Sequence, residues 1–252
     1  MKHKPKKFRI QENQYQFPYH HLPYIDSNNN VVNHRALNWG FKYFCYLLRS
    51  KELVEELKPK SILDIGCGEG RFLGLLSKDI LRKVGVDLAL KPIIFARAFH
   101  PEIDFYVKDA AEINENFDVV TAIEVLEHIP DEEVSQFLKV IAKVTKKEGH
   151  ILLCVPTTKR ELSPKHYRHY TLDILKSQLK DSQVKLKIQK VEYIYRSPLW
   201  LKWYSKITIN GMWIFEINFL RNLIWEYIWN NLCQTNQKYG EEMIVVLQKV
   251  DD

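Results

Sequence analysis

The sequence predicts an α/β protein built on an open, doubly wound, mostly parallel sheet. Three observations lead there. Between residues 61 and 155, short apolar runs alternate with segments of helical period, the pattern of strand–helix–strand units. The first run, Ser61 to Ile65, stops at Gly66, Gly68 and Gly70, and Phe72, Leu73, Leu75 and Leu76 then repeat at helical spacing. The second run ends in an acid, Asp87, about 20 residues past that turn.

Taken in order, Ser61–Ile65 reads as a buried strand with β-branched residues. Its glycine turn permits positive φ and close approach of a ligand to the backbone. The helix start behind it offers unpaired N–H groups and a partial positive charge. Lys83 to Val86 reads as the second strand and Ile103 to Val107 as the third, followed by Asp109-Ala110-Ala111-Glu112. Phe117 to Ala122 is the fourth, running into Glu124-Val125-Leu126-Glu127-His128-Ile129-Pro130. Gly149 to Val155 is the fifth, ending at Pro156; Leu186 to Tyr195 is the sixth, and Met243 to Gln248 the last.

Asp64 separates this turn from the dinucleotide fingerprint. A carboxylate inside the strand end, two residues before the first glycine, suits a cationic ligand and would crowd a pyrophosphate. Asp-Ile-Gly-Cys-Gly-Glu-Gly resembles the first motif of the class I S-adenosylmethionine-dependent methyltransferases, in particular the broad small-molecule and ubiquinone-type group. The resemblance spans about residues 58–196 and the last strand. It implies a Rossmann-like sheet of seven strands with one antiparallel strand, for which Glu241 to Leu247 is the candidate. It also implies S-adenosylmethionine as cofactor, with S-adenosylhomocysteine as product. The implied cofactor contacts are Asp64, Gly66, Cys67, Gly68 and Gly70, then Asp87 and Leu88 at the ribose, Asp109 and Ala110 beside the adenine, and Glu124.

With 252 residues, the chain is expected to form one domain with elaborations: a tail and helical cap over 1–57, and a methyltransferase domain over 58–252. Cys45, Cys67, Cys154 and Cys233 lack metal-ligand spacing and read as small buried hydrophobes of a reducing, cytoplasmic compartment. Met1 to Arg9 is basic, with no apolar run behind it, so no secretory signal is expected there. A solvated tail, or weak attraction to anionic lipid or RNA, would account for it, and the net charge of +6 decides between neither.

Asp26 to Asn30 is a polar turn, and Leu37, Phe41, Phe44, Leu47 and Leu48 mark a helix after it. In the resembled superfamily such helices cover the cofactor and shape the acceptor pocket. The insertion at about 197–240 holds five of the six tryptophans: Trp200, Trp203, Trp213, Trp225 and Trp229. Glu216, Arg221 and Glu226 argue against a membrane span. Three readings stay open for it: a lid helix on the core, a peripheral contact with a membrane or lipid substrate, and a dimer interface.

Methyl transfer from a sulfonium is an in-line displacement, so alignment and a dry site matter most, and a hydroxyl acceptor also needs a base. His128, just past the fourth strand, is the candidate base, with Glu127 or Glu124 to orient its ring. On one helical turn, Glu124, Glu127 and His128 would instead share a face and hold a divalent ion, with His166 or His169 as fourth ligand. Small-RNA terminal 2′-O-methyltransferases carry such a Glu-x-x-Glu-His motif, and ubiquinone-pathway enzymes a similar one. Lys165 to Thr171 resembles a His-x-Arg-x-Tyr/Phe-Thr segment of many such methyltransferases. Thr171 caps the next helix there, and His166, Tyr167, His169 and Tyr170 line the acceptor pocket.

The leading expectation is O-methylation of a small-molecule, sugar or lipid-linked acceptor. A metal-dependent RNA 2′-O-methyltransferase is the second, with nucleic acid not favoured, and a cofactor-binding module without catalysis is the third.

Overall fold

The computed structural model describes residues 24–25, 31–32, 40–208, 215 and 217–250. The basic N-terminal stretch, the 26–30 turn, Leu37, Trp213 and Glu216 therefore lie outside the described residues. A small hairpin pairs β1 (Tyr24–Ile25) with β2 (Val31–Val32). Helix α1 (Gly40–Glu56) follows, and the main sheet then begins at β3 (Ser61–Ile65).

Strand β3 is buried along its whole length, as a continuous apolar run at the centre of a parallel sheet should be. The chain next forms α2 (Arg71–Leu75), β4 (Arg82–Asp87), α3 (Leu90–Phe99) and β5 (Asp104–Val107), moving outward on one side of β3. It then crosses to the other side with β6 (Phe117–Ile123), α4 (Val134–Val144) and β7 (Thr145–Pro156). Helix α5 (Leu172–Ser182) leads to β8 (Leu186–Ile194); α6 (Leu199–Thr208) and α7 (Asn218–Asn231) follow in succession, and β9 (Gln234–Thr235) and β10 (Glu242–Lys249) come last. The spatial order is β5-β4-β3-β6-β7-β10-β8-β9. The strand order reverses between β3 and β6, and such a switch point opens a crevice at the carboxyl ends of the strands.

β10 lies antiparallel between β7 and β8, as expected for the last strand. An eighth strand was not anticipated: β9 pairs antiparallel with the end of β8. Two residues are too few to show alternation, so only the tertiary pairing defines them. Residues of opposite parity on the strands feed two apolar layers. Ile62, Val119, Leu152 and Ile244 meet α1, α2, α3 and α7 on one face, while Leu63, Val120, Leu153 and Val245 meet α4 and α5 on the other.

α1 belongs to the first layer: Phe41, Phe44 and Cys45 have no exposed surface. Helix α7 packs on it through Arg221, Trp225, Ile228 and Leu232, whose i, i+4, i+7, i+11 spacing forms one stripe. Trp225 stacks on Phe41 with ring centroids 6.2 Å apart. Asn218, Glu226 and Asn230 of α7 are exposed. All four cysteines are free and buried.

Candidate functional site

A cavity of about 800 Å³ opens at the crevice between β3 and β6, within the usual size of a small-ligand site. Its floor is the glycine turn. Gly66, Gly68 and Gly70 all have left-handed φ, 71°, 54° and 75°, a region that costs other residues dearly. A Cβ on Gly66 would stand 2.5 Å from Val125 Cγ2, so the turn after β3 and the turn after β6 touch there. Gly70 serves packing instead: its Cβ would meet the Phe105 ring at 2.5 Å, and it does not line the cavity.

Asp64, Gly66, Cys67, Gly68, Asp87, Leu88, Asp109, Ala110 and Glu124 all line this one cavity. Asp87 accepts from the Gly68 N–H at 3.1 Å and from the Ala89 N–H at 2.8 Å, which ties the end of β4 to the glycine turn. Burial raises its pKa against those two hydrogen bonds. Asp109 heads a short turn as a capping box, accepting from Ala111 N–H.

Asp64 is buried and accepts the Thr121 hydroxyl at 2.7 Å. Desolvation, against that hydrogen bond and aided by the Asp87 charge, pushes its pKa up to about 7. Ionised Asp64 therefore destabilises the empty fold as pH rises from the ordinary carboxylate range through about 7. A cationic ligand reverses that preference and binds with release of a proton. Affinity for S-adenosylmethionine is accordingly expected to fall roughly eightfold from pH 7.5 to 6, as a carboxylate of pKa about 7 protonates. Calorimetric titration across that range checks it, and Asp64→Asn should flatten the profile.

The opposite wall comes from the turn after β6. Glu124 has φ 56°, so the chain is left-handed there and does not continue as one helical turn to His128. A short 3₁₀ turn covers Leu126–His128 alone. The expected three-residue face of Glu124, Glu127 and His128 is thus not formed. Glu124 turns to Arg160, whose guanidinium lies 3.3 Å from it and 2.5 Å from the fully buried Glu242.

His166 takes the place expected of Glu124. One ligand atom from each of Glu127, His128 and His166 lies within 4.8 Å of the others. The loop after β7 brings His166 in because Arg168 staples it to the β6 turn. Its guanidinium donates to the Leu126 carbonyl at 3.1 Å and the Ile129 carbonyl at 2.6 Å. The Tyr167 N–H donates to the Glu127 carbonyl at 2.8 Å.

Hydrogen bonds assign the imidazole tautomers. His128 Nδ1 lies 3.1 Å from the Lys165 carbonyl and must donate, which makes Nε2 the acceptor nitrogen. His169 Nδ1 donates to the Arg160 carbonyl at 3.2 Å, so its Nε2 accepts from His166 Nδ1 at 2.8 Å, and the His166 acceptor is also Nε2. Burial holds the His166 pKa down at about 3, keeping the ring neutral. Glu127 is fully buried and, among the described residues, neither carboxylate oxygen has a hydrogen-bond partner. Desolvation first, and the Glu124 charge second, raise its pKa well above the carboxylate range. Glu127 does not orient the His128 ring by a hydrogen bond, since the nearest approach is 3.7 Å. The Lys165 carbonyl does that.

His128 and Tyr167 line the cavity; His166, His169 and Tyr170 do not. His166 packs edge-on behind His128, with centroids 4.7 Å apart. Tyr170 is core, with its hydroxyl 3.3 Å from the Leu126 carbonyl. Thr171 caps α5, accepting from Ile174 N–H at 3.3 Å. Sequence reasoning missed Lys165, Arg71, Tyr43 and Tyr46, which also line the cavity. Tyr43 and Tyr46 sit on α1, whose apolar period marks a helix and says nothing of which turn faces a ligand. No described residue of the 197–240 insertion lines the cavity, and Trp225 of α7 stacks on Phe41 of α1.

Residues 36–232 match the model of a methyltransferase domain family. A ubiquinone biosynthesis O-methyltransferase of Proteus mirabilis is 33% identical over 109 residues, 40% of this chain and 44% of that protein. The enzyme of the same name from Aliivibrio fischeri strain MJ11 is 35% identical over 108 residues, 40% of this chain and 45% of that one. The alignments thus span less than half the length of these relatives. A solved S-adenosylmethionine-dependent methyltransferase from Archaeoglobus fulgidus superposes with a TM-score of 0.56 at 18% identity, covering 81% of this chain and 93% of that one. No described helix is long and apolar enough to cross a membrane.

Proposed function

The chain belongs to the methyltransferase-domain family and is a class I S-adenosylmethionine-dependent methyltransferase, and from that premise we propose that it methylates an oxygen of a small-molecule acceptor, with His128 as base. The observation that carries this reading is the fixed tautomer of His128. His128 lines the cavity that the glycine turn floors, and Nε2 is the nitrogen left to accept a proton. The O-methyltransferase names of the relatives support the choice of an oxygen. The described residues suit the cofactor in two respects: the left-handed turn at Gly66 and Gly68 leaves room for it, and Asp64 and Asp87 offer carboxylates to a cation and to ribose hydroxyls.

The cofactor supplies an activated methyl group on a sulfonium. Asp87, Leu88, Asp109 and Ala110 would hold its nucleoside end, and Asp64 with Gly66, Cys67 and Gly68 its charged end, with Glu124, pinned by Arg160, bordering it. Tyr43, Tyr46 and Tyr167 would exclude water and help orient the acceptor hydroxyl. Transfer of the methyl group to the acceptor oxygen would break its bond to sulfur and release S-adenosylhomocysteine, while the hydroxyl proton would pass to His128 Nε2 and the Lys165 carbonyl would steady the ring that carries it. Sugar and lipid-linked alcohols fall within the same chemistry. Four buried, free cysteines suit a reducing, cytoplasmic setting.

A specific observation favours a second reading. Glu127, His128 and His166 converge, both imidazole acceptors are Nε2, and the Glu127 carboxylate is buried without a hydrogen-bond partner among the described residues. That donor set fits a divalent cation, which would acidify a bound hydroxyl, with His169 and the Lys165 carbonyl orienting the rings. His128 would then be a ligand and not a base, and an RNA 2′-hydroxyl becomes an eligible acceptor.

Methyl-labelled S-adenosylmethionine, supplied with the protein to a fractionated cell extract with and without EDTA, separates the readings. Label in the organic-extractable fraction that persists in EDTA supports the proposal. Label in nuclease-sensitive RNA that disappears in EDTA overturns it in favour of the metal site. No labelled product, with cofactor binding intact, would mean a binding module without catalysis.

A further inference from the structure

More than half of the large hydrophobic side chains left exposed among the described residues lie between positions 199 and 227. They are ordered. Leu199, Trp203 and Ile207 recur every four residues on α6, and Phe219, Leu223 and Tyr227 do the same on α7. Each set is therefore one stripe of a helix. The stripes meet where Trp200 packs edge-on against Tyr227, with centroids 5.9 Å apart. Trp203 is 65% exposed and Phe219 73%, although the opposite side of α7 is buried against α1 through Trp225 and Ile228. The inner stripe is buried in the core, and the outer one is left largely exposed.

The charges beside the patch indicate what covers it. Helix α6 carries Lys202 and Lys206, both exposed, and no acid. Lys206 Nζ lies over the Trp203 ring, 5.7 Å from its centroid, so a cation sits among the exposed aromatics. Glu226, which is exposed, is the one acid on α6 and α7. A second copy docked on the same face would bring α6 lysines towards α6 lysines, with few acids to meet them. Tryptophan, tyrosine and lysine around aliphatic side chains instead match the interfacial zone of a bilayer, apolar within and anionic at the headgroups. Neither helix is long and apolar enough to span one.

We infer that the outer face of α6 and α7 docks on an anionic lipid bilayer, lying in its interface. The patch lies outside the cavity lining, so docking anchors the enzyme without blocking its site. The inference stands independently of which acceptor is methylated.

Co-sedimentation of the full chain with phosphatidylcholine vesicles, and with vesicles also holding phosphatidylglycerol, tests it. The protein should pellet with the anionic vesicles and be released by about 0.5 M NaCl, where the Debye length is a few ångströms. The double variant Trp203→Glu, Phe219→Glu should lose at least about tenfold in vesicle affinity, because each charge must leave water to enter the interface. Lys202→Glu with Lys206→Glu should abolish the preference for anionic vesicles. Both variants should keep the wild-type affinity for S-adenosylmethionine, which separates lost docking from lost folding. Failure of the wild-type chain to pellet would overturn the inference. So would a dimer in size-exclusion chromatography that Trp203→Glu, Phe219→Glu dissolves while vesicle binding is unchanged, since the face would then belong to a second copy.

Discussion

Gly66→Val is expected to abolish binding of S-adenosylmethionine while the sheet still forms. Two costs act at one atom. The residue is held at φ 71°, where a β-branched side chain is an outlier worth about 1–3 kcal/mol. Its Cβ would also lie 2.5 Å from Val125 Cγ2. Relief requires the β3 and β6 turns to part, and those turns carry Asp64 and Cys67 on one side, Glu124 and His128 on the other. Together these costs predict a loss of affinity on the order of a hundredfold or more, since 1.4 kcal/mol is tenfold. Equilibrium dialysis with labelled cofactor measures it, and circular dichroism confirms that the variant is folded. Retention of wild-type affinity would show that the cofactor does not rest on this turn.

His128→Asn should lower kcat by about 10²–10⁴-fold, the usual worth of a positioned base, with cofactor affinity unchanged. Asparagine keeps a polar group on the cavity wall but accepts no proton. The companion variants Glu127→Gln and His166→Asn decide what His128 does. If it is a base, each costs no more than about tenfold, because Glu127 stands 3.7 Å from the ring and His166 only packs on it. If the three residues hold a cation, all three variants collapse kcat together and added divalent ion partly rescues the weaker ones. Glu127→Gln carries a second signature. It removes a buried carboxyl whose pKa is raised by burial, a group that destabilises the fold as pH climbs from the ordinary range towards its raised value. In the absence of metal the variant should therefore unfold at a higher temperature than the parent at alkaline pH, as scanning calorimetry would record.

The glycine turn and the strands that flank it were legible because each is set by local chemistry. A run such as Ile62 to Ile65 has one low-energy use in a chain of this composition, and Gly66 and Gly68 permit a backbone that other residues resist. The acid at the end of β4 could be placed from its distance to that turn, and the Thr171 cap from the helix behind it. The expected strands agree with the structure to within one residue at each end, except β7, which begins at Thr145 and not at Gly149, because the polar residues 146–148 carry no apolar signal.

The remaining features depend on contacts between segments distant in sequence. Glu124 was grouped with Glu127 and His128 by helical spacing, yet the chain turns left-handed at Glu124 and sends it to Arg160, 36 residues away. A positive φ at a glutamate leaves no compositional trace. His166 enters behind His128 because Arg168 ties its loop to the β6 turn, and Tyr170, read as an acceptor contact, serves the core of that tie. The tryptophan-rich insertion could be read three ways because composition reports how much apolar surface a helix has, not which side is covered. Packing against Phe41 buried one stripe of α7 and left the other in water. Local propensity and backbone sterics thus wrote the sheet and the cofactor turn into the sequence. Which side chains share a cavity, a ligand cluster or an open face was set by the folding of remote segments onto one another, where no single stretch of chain carries the information.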